Sequence, residues 1–171
     1  MLNNETGYEE LYKVHYRRVQ RLCRLLLQNV SEAEEVEQEI FLKMLRQYRA
    51  ESWPTDWRAW LTRVTVNACH DRQRSTWWNR WRLSDGEDAA TELPSFNLTP
   101  EQEVLGREQR DRIWRCFQQL SPRQQEIFIL RYLEGWSTDE VASILGLTNS
   151  SVKQHLFRAV RRLRKSLGDR P

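Results

Sequence analysis

The sequence predicts an all-α protein made of two small helical domains joined by a flexible linker. Three observations carry that expectation. Apolar residues recur at steps of three and four along most of the 171 residues, the period of a helix with one buried face. No stretch shows the every-second-residue alternation of a half-buried strand. Between the periodic halves, residues 83–98 (LSDGEDAATELPSFNL) are acidic, contain Gly and Pro and carry no period, which marks a linker between domains spanning 1–82 and 99–171. Fully extended, that segment reaches ~50–55 Å.

The elements follow in order. Tyr8, Leu11, Tyr12, His15, Tyr16, Val19, Leu22, Cys23 and Leu26 form one stripe and predict a first helix. Ser31 and Glu34 have the spacing of a capping box. They are expected to open a second helix whose core face is Ala33, Val36, Ile40, Phe41, Met44, Leu45 and Tyr48. After a short loop containing Pro54, a third helix is expected from about Asp56, with Trp57, Trp60, Leu61, Val64 and Ala68 buried. It runs into RQRSTWWNRWR at 72–82, three tryptophans among four arginines. That mixture fits long amphipathic side chains covering a core. It equally fits a surface that stacks on bases while neutralising phosphates.

Past the linker come three capping signals: Thr99-Pro100 with Gln102, Ser121-Pro122 with Gln124, and Ser137 with Glu140. They predict helices over roughly 100–119, 122–133 and 138–145. A last helix is expected from near Asn149 to about Leu167.

Composition narrows the class. Hydrophobic content is 39% and charged content 30%, as in a folded, soluble chain rather than a disordered one. The net charge of +3 is unevenly spread. Residues 1–95 carry 14 Lys/Arg against 15 Asp/Glu, and residues 96–171 carry 13 against 9. Basic character is therefore local, as a nucleic-acid site requires. Cys23, Cys69 and Cys116 are dispersed and form no CxxC pair, so neither a disulfide framework nor a zinc site is expected, and a reducing, cytoplasmic location is. The start, MLNNETGYEE, lacks the apolar core of a signal peptide. No run approaches 18 apolar residues, so no membrane insertion is expected. An enzyme would have to use Cys69, His70 and Asp71. Adjacent residues on a helix point in different directions and cannot share one metal. With no Gly-rich phosphate loop and no nucleophile elbow, no catalytic residue, metal or cofactor is expected.

Residues 137–165, STDEVASILGLTNSSVKQHLFRAVRRLRK, have helix-turn-helix spacing. Ala142 is small where two helices would cross, and Gly146 stands where a tight turn wants positive φ. Val141, Leu145, Leu147 and Val152 supply a small core. The last helix should bury Val152, Leu156, Ala159, Val160 and Leu163. Its other side carries Lys153, Gln154, Arg158, Arg161, Arg162, Arg164 and Lys165, with no acid from 149 to 168. Such a helix suits the major groove: its early side chains reach base edges and its later arginines hold phosphates. The second helix is its opposite. No Lys or Arg lies between Leu25 and Leu42, where Glu32, Glu34, Glu35, Glu37 and Glu39 cluster. Glu35, Gln38, Glu39 and Leu42 share one face, a poor DNA surface and a reasonable one for a basic protein partner.

With these residues in view, the chain resembles bacterial RNA polymerase sigma factors of the extracytoplasmic-function, sigma-70-like type. SEAEEVEQEIFLKML is similar to their region 2.2, and WRAWLTRVTVNACHDRQR to regions 2.3–2.4. LSPRQQEIFILRYLEGWSTDEVASILGLTNSSVKQHLFRAVRRLRKSL is similar to region 4. The resemblance implies a region 2-like three-helix bundle, a region 4-like helix-turn-helix domain, and a factor that directs RNA polymerase core to promoters. By that resemblance Glu35, Gln38, Glu39 and Leu42 contact core polymerase at the β′ clamp. The loop 49–55 and the face bearing Arg63 and Asn67 capture a flipped base of the −10 element, with Arg74 and Trp78 also on −10 DNA. Lys153, Gln154, His155, Phe157, Arg158, Arg161 and Arg162 read or hold the −35 element. The implied partners are the β′ and β subunits of core polymerase, promoter DNA and an anti-sigma factor. Two departures stand out: Glu35-Val36 replaces the usual Asp-Leu, and Trp77, Trp78 and Trp81 replace a plainly basic stretch. Two rival readings remain at this point, a stand-alone regulator binding duplex operators without polymerase and a sigma-like decoy or adaptor.

Overall fold

The first apolar stripe winds as α1 (Asn4–Leu27), which packs against α2 (Val30–Arg49) and α3 (Trp57–Arg82). The computed structural model describes residues 4–82 and 100–168, with side chains over 7–75 and 106–168, and no strand occurs among them. Two units divide the chain, Met1–Glu92 and Leu93–Pro171. The expected linker 83–98 and the Thr99 cap lie outside the described residues.

In the first unit Val19, Leu22 and Leu26 of α1, Val36, Ile40 and Met44 of α2, and Leu61 and Val66 of α3 are fully or almost fully buried. Each such side chain contributes about 1.5–3 kcal/mol relative to exposure. The second helix starts earlier than the Ser31–Glu34 pattern suggests. Asn29 is the cap, its side chain accepting from Glu32 N at 3.0 Å. Asn at this position satisfies an orphan N–H as well as Ser does, and the chain reaches it after Gln28 at φ +58°.

The third helix corrects the expected core face. Of the five positions named, only Leu61 is fully buried; Trp57, Trp60, Val64 and Ala68 are partly exposed. The buried face is Leu61, Thr62, Thr65, Val66 and Cys69. Thr62 can sit inside because its hydroxyl finds partners there, whereas the buried Thr65 hydroxyl has none among the described residues. Thr62 Oγ1 donates to Arg58 O at 2.8 Å and accepts from Arg18 Nη1 at 2.7 Å. Asp56 Oδ1 accepts from the N–H groups of Arg58 and Ala59 at 2.8 and 3.2 Å and opens the helix. The displaced Trp57 and Trp60 rings meet edge to face, centroids 5.4 Å apart.

In the second unit α4 (Pro100–Gln118) leads into α5 (Pro122–Phe128), which continues as a π-helical turn over Ile129–Leu133, then α6 (Thr138–Leu145) and α7 (Asn149–Gly168). The Ser121–Gln124 and Ser137–Glu140 capping boxes both form. The expected single helix 122–133 is therefore present as a span, with its last turn widened. Gln125 fills a special place. It is buried, and its Nε2 donates towards the carbonyls of Phe117, Gln118 and Leu120 at 3.3, 3.3 and 3.2 Å. One amide thus serves carbonyls where α4 ends, of which Phe117 O also accepts from Leu120 N at 3.0 Å. Arg112 Nη2 does the same for Leu167 O at the end of α7.

Gln125→Leu roughly keeps the volume and removes the donor from Gln118 O and Leu120 O. We expect it to cost about 1–3 kcal/mol, read as a lower urea midpoint at unchanged slope; a wild-type midpoint would refute this account of the α4–α5 corner. A second expectation concerns pH. Burial, then the neighbouring Arg18, hold the His15 imidazole below its ordinary value, Asp56 opposing and Arg58 adding to the lowering. The unfolded chain then takes the proton first. His15 stabilisation is complete above the ordinary value of about 6.5 and is lost as pH falls below it towards the folded value. Burial raises the Glu37 carboxyl, against hydrogen bonds from Tyr16 and Gln20, and this acts in the opposite sense. Thermal melts between pH 7.5 and 5.5 should show wild type losing more stability on acidification than His15→Gln; parallel curves would exclude His15 as the cause.

Candidate nucleic-acid and protein interfaces

The helix-turn-helix begins with a helix fixed at both ends. Ser137 Oγ accepts from Glu140 N at 3.2 Å, and Glu140 Oε2 accepts from Ser137 N at 2.7 Å. Gly146 ends α6 at φ +64°, ψ +36°, and Leu147 N donates back to Ala142 O at 2.9 Å. Any residue with a Cβ would cost about 1–2 kcal/mol in that conformation. Thr148 Oγ1 then accepts from Ser151 N at 3.2 Å and starts α7. Asn149 Nδ2 donates to Asp139 Oδ1, joining the two helices of the motif.

Burial of Val152, Leu156 and Ala159 sets the roll of α7. Lys153, Gln154, Phe157, Arg158, Arg161 and Arg162 consequently project into solvent. Phe157 is 66% exposed, a large cost in apolar surface with no gain inside the unit. His155 stands apart from the set: it is half-buried, and its Nδ1 is enclosed without a protein partner. Val160 and Leu163 are partly exposed rather than buried.

In the first unit Glu35, Gln38, Glu39 and Leu42 are all exposed on the side of α2 opposite Val36, Ile40 and Met44. Leu42 is 53% exposed. Arg72 of α3 reaches this face, Nη1 donating to Glu35 Oε2 at 2.6 Å and Nη2 to Glu39 Oε1 at 3.2 Å. The Glu35 hydrogen bond lifts the guanidinium pKa further above its ordinary value, partial burial opposing. Arg72, one of the four arginines of 72–82 for which phosphate contact is one of two readings of the sequence, is therefore turned towards α2.

Arg63, Asn67 and Arg74 are exposed, and their spacing places them along one stripe of α3. Asp71 is exposed on the same stripe. The expectation for Trp78, with Trp77 and Trp81, falls on side chains outside the described residues.

Sequence reasoning missed two features. One is the Arg72 fork. The other is a platform on the 49–55 loop, where the Trp53 ring stacks on Tyr48 at 5.2 Å and 15° while Nε1 donates to Tyr48 O at 3.0 Å. Trp53 remains 56% exposed, and the loop turns through Glu51 at φ +52°. The aromatic content of SWP was a signal; the stacking was not. Among the described residues no group of His, Cys, Asp and Glu could hold a metal ion, and no helix is long and apolar enough to cross a membrane.

Two family models match this chain in order: Sigma-70 region 2 over residues 11–79 and Sigma-70, region 4 over residues 110–163. Among curated proteins it is 28% identical to the ECF RNA polymerase sigma factor BldN of Streptomyces coelicolor over 95% of this chain and 61% of that one. The chain thus spans less than two thirds of that relative's length. It is 25% identical to the ECF RNA polymerase sigma factor SigW of Bacillus subtilis over 97% of this chain and 91% of the other. Among solved structures it is similar to the sigma factor RpoE of Bartonella quintana, determined in complex with the anti-sigma factor NepR. The TM-score is 0.74 at 20% identity, covering 96% of this chain and 99% of that one; this likeness is one of fold. Matches to both regions define the class, a sigma-70-type initiation factor. The chain belongs to the extracytoplasmic-function sigma factors, a family of transcription factors rather than enzymes. A stand-alone operator binder would leave the region 2 match without a purpose.

Proposed function

We propose that this protein directs RNA polymerase core to specific promoters, with residues 1–82 binding core and the −10 element, 99–171 binding the −35 element, and 83–98 linking them. The observation that carries the reading is the pairing, on one chain, of the two region matches with faces of opposite charge. The exposed Glu35, Gln38, Glu39 and Leu42 suit a basic patch with an apolar neighbour, as on the β′ clamp. The Arg63, Asn67 and Arg74 stripe suits the −10 element, where extruding a base costs a few kcal/mol that contacts to it must offset. Trp78 is assigned to the same DNA. On α7, Lys153, Gln154 and Arg158 carry donors for base edges, Arg161 and Arg162 suit phosphates, and His155 lies beside them. The β subunit and an anti-sigma factor complete the partners; the solved relative carries such an inhibitor. The location is cytoplasmic.

Transcription from a cognate promoter by core polymerase plus the purified chain tests this reading. Glu39→Lys should abolish core binding. Arg158→Ala should leave core binding intact and remove about 1–3 kcal/mol of −35 discrimination. No association with core, together with tight binding of a duplex by the chain alone, would overturn the proposal. Phe157 makes a narrower prediction. An exposed ring among groove-reading side chains is suited to a thymine methyl. Replacing thymine by uracil in the −35 element should weaken holoenzyme binding several-fold for wild type and leave Phe157→Ser indifferent; equal losses would remove the methyl contact.

A further inference from the structure

Arg72 has no part in the reading above, yet it makes the closest side-chain contact to the acidic face. We propose that Arg72 is a positioning residue: its guanidinium fork holds Glu35 and Glu39 as an ordered carboxylate pair, presented outward to a cationic side chain of core polymerase. The inference rests on the reading that this face docks on polymerase.

Three observations carry it. Glu35 and Glu39 are one helical turn apart, so their charges sit side by side and repel each other. Arg72 answers both, one nitrogen to one oxygen of each carboxylate at 2.6 and 3.2 Å. The second oxygen of each remains uncommitted to it. The fork also approaches from the α3 side without covering the pair: the Glu35 and Glu39 side chains stay 60% and 53% exposed, against 26% for Arg72.

The anchor behind the fork is firm. Gln73, the next residue, donates Nε2 to Leu26 O at 2.6 Å. This ties the same turn of α3 to the last turn of α1. Two rotamer-rich glutamates are thereby ordered before a partner arrives, which removes part of the entropy cost of docking. A planar, two-nitrogen fork is required; a lysine ammonium is a point charge that cannot set two carboxylates in parallel. Leu42 lies one turn beyond Gln38 and gives the partner an apolar edge beside the pair.

The test uses the full-length chain and purified core polymerase, with association and dissociation rates read by biolayer interferometry. Arg72→Met should raise the dissociation rate about tenfold, with Arg72→Lys in between. In a Glu35→Gln/Glu39→Gln background, Arg72→Met should change that rate less than twofold, because its only route is through the two carboxylates. Circular dichroism melts should show Arg72→Met folded, since exposed ion pairs add little stability. A wild-type rate for Arg72→Met, or an equal effect in both backgrounds, overturns the positioning role. A wild-type rate for Glu35→Gln/Glu39→Gln overturns the docking assignment itself, which separates the two failures.

Discussion

The roll of α3 is the constraint on which the first unit depends. Once Leu61, Thr62, Thr65, Val66 and Cys69 face inward, every other residue of the helix has its direction assigned by the 100° step. Arg63, Asn67 and Arg74 are sent to solvent on one side. Arg72 and Gln73 are sent to the flanks, where they meet α2 and α1. One buried stripe therefore organises three surfaces. Thr62 fits that stripe because Arg18 reaches across from α1 to serve both Thr62 Oγ1 and, at 3.0 Å, Arg58 O. A polar contact placed inside in this way specifies one rotation of α3, because a neighbouring rotation would strand a buried donor.

The second unit solves the same problem with a turn. Gly146 supplies the left-handed residue, Leu147 closes on Ala142, and Val141 with Val152 fills the angle between the helices. These local features leave α7 little freedom of roll. The directions of the exposed Lys153, Gln154, Phe157, Arg158, Arg161 and Arg162 are thus set by Gly146 and the apolar residues around the turn. Gly7 plays a comparable part in the first unit, where a Cβ would collide with the Tyr48 hydroxyl; its absence lets the Tyr48–Trp53 platform sit close to α1.

Much of this was legible in the sequence, and for a stated reason. Capping boxes and the Gly146 turn are short-range signals, so α6 appears over the expected 138–145. The α2 and α7 faces were read from periodicity in strongly amphipathic helices, except that Leu45, Val160 and Leu163, expected inside, are partly exposed. The third helix was misread because the large Trp57 and Trp60 rings suggest burial more strongly than threonines do, whereas Thr62 goes inside with a hydroxyl partner supplied by Arg18 of α1. Asn29 was passed over because Ser31 offered the more familiar pattern two residues later. The Arg72 fork was beyond reach for a different reason: its partners lie 33 and 37 residues away, and no local rule connects them. The domain limits and the Trp77, Trp78 and Trp81 cluster fall where the described residues end.

A chain that exposes both an acidic and a basic face has an electrostatic problem to manage. Exposed glutamates repel phosphate over about 8–10 Å at ordinary ionic strength, and they attract stray cations that a specific partner must displace. Arg72 reduces the formal charge of the Glu35–Glu39 pair by half while leaving its outer surface accessible. What remains is short-ranged and directional, strong against a well-placed guanidinium and weak against diffuse positive charge. By contrast, α7 itself supplies no counter-ion to its basic face: no acid occurs between 149 and 168. That asymmetry fits the two tasks proposed for these faces. Non-specific attraction to DNA helps a promoter search, while non-specific attraction to basic proteins would only hinder the choice of one polymerase.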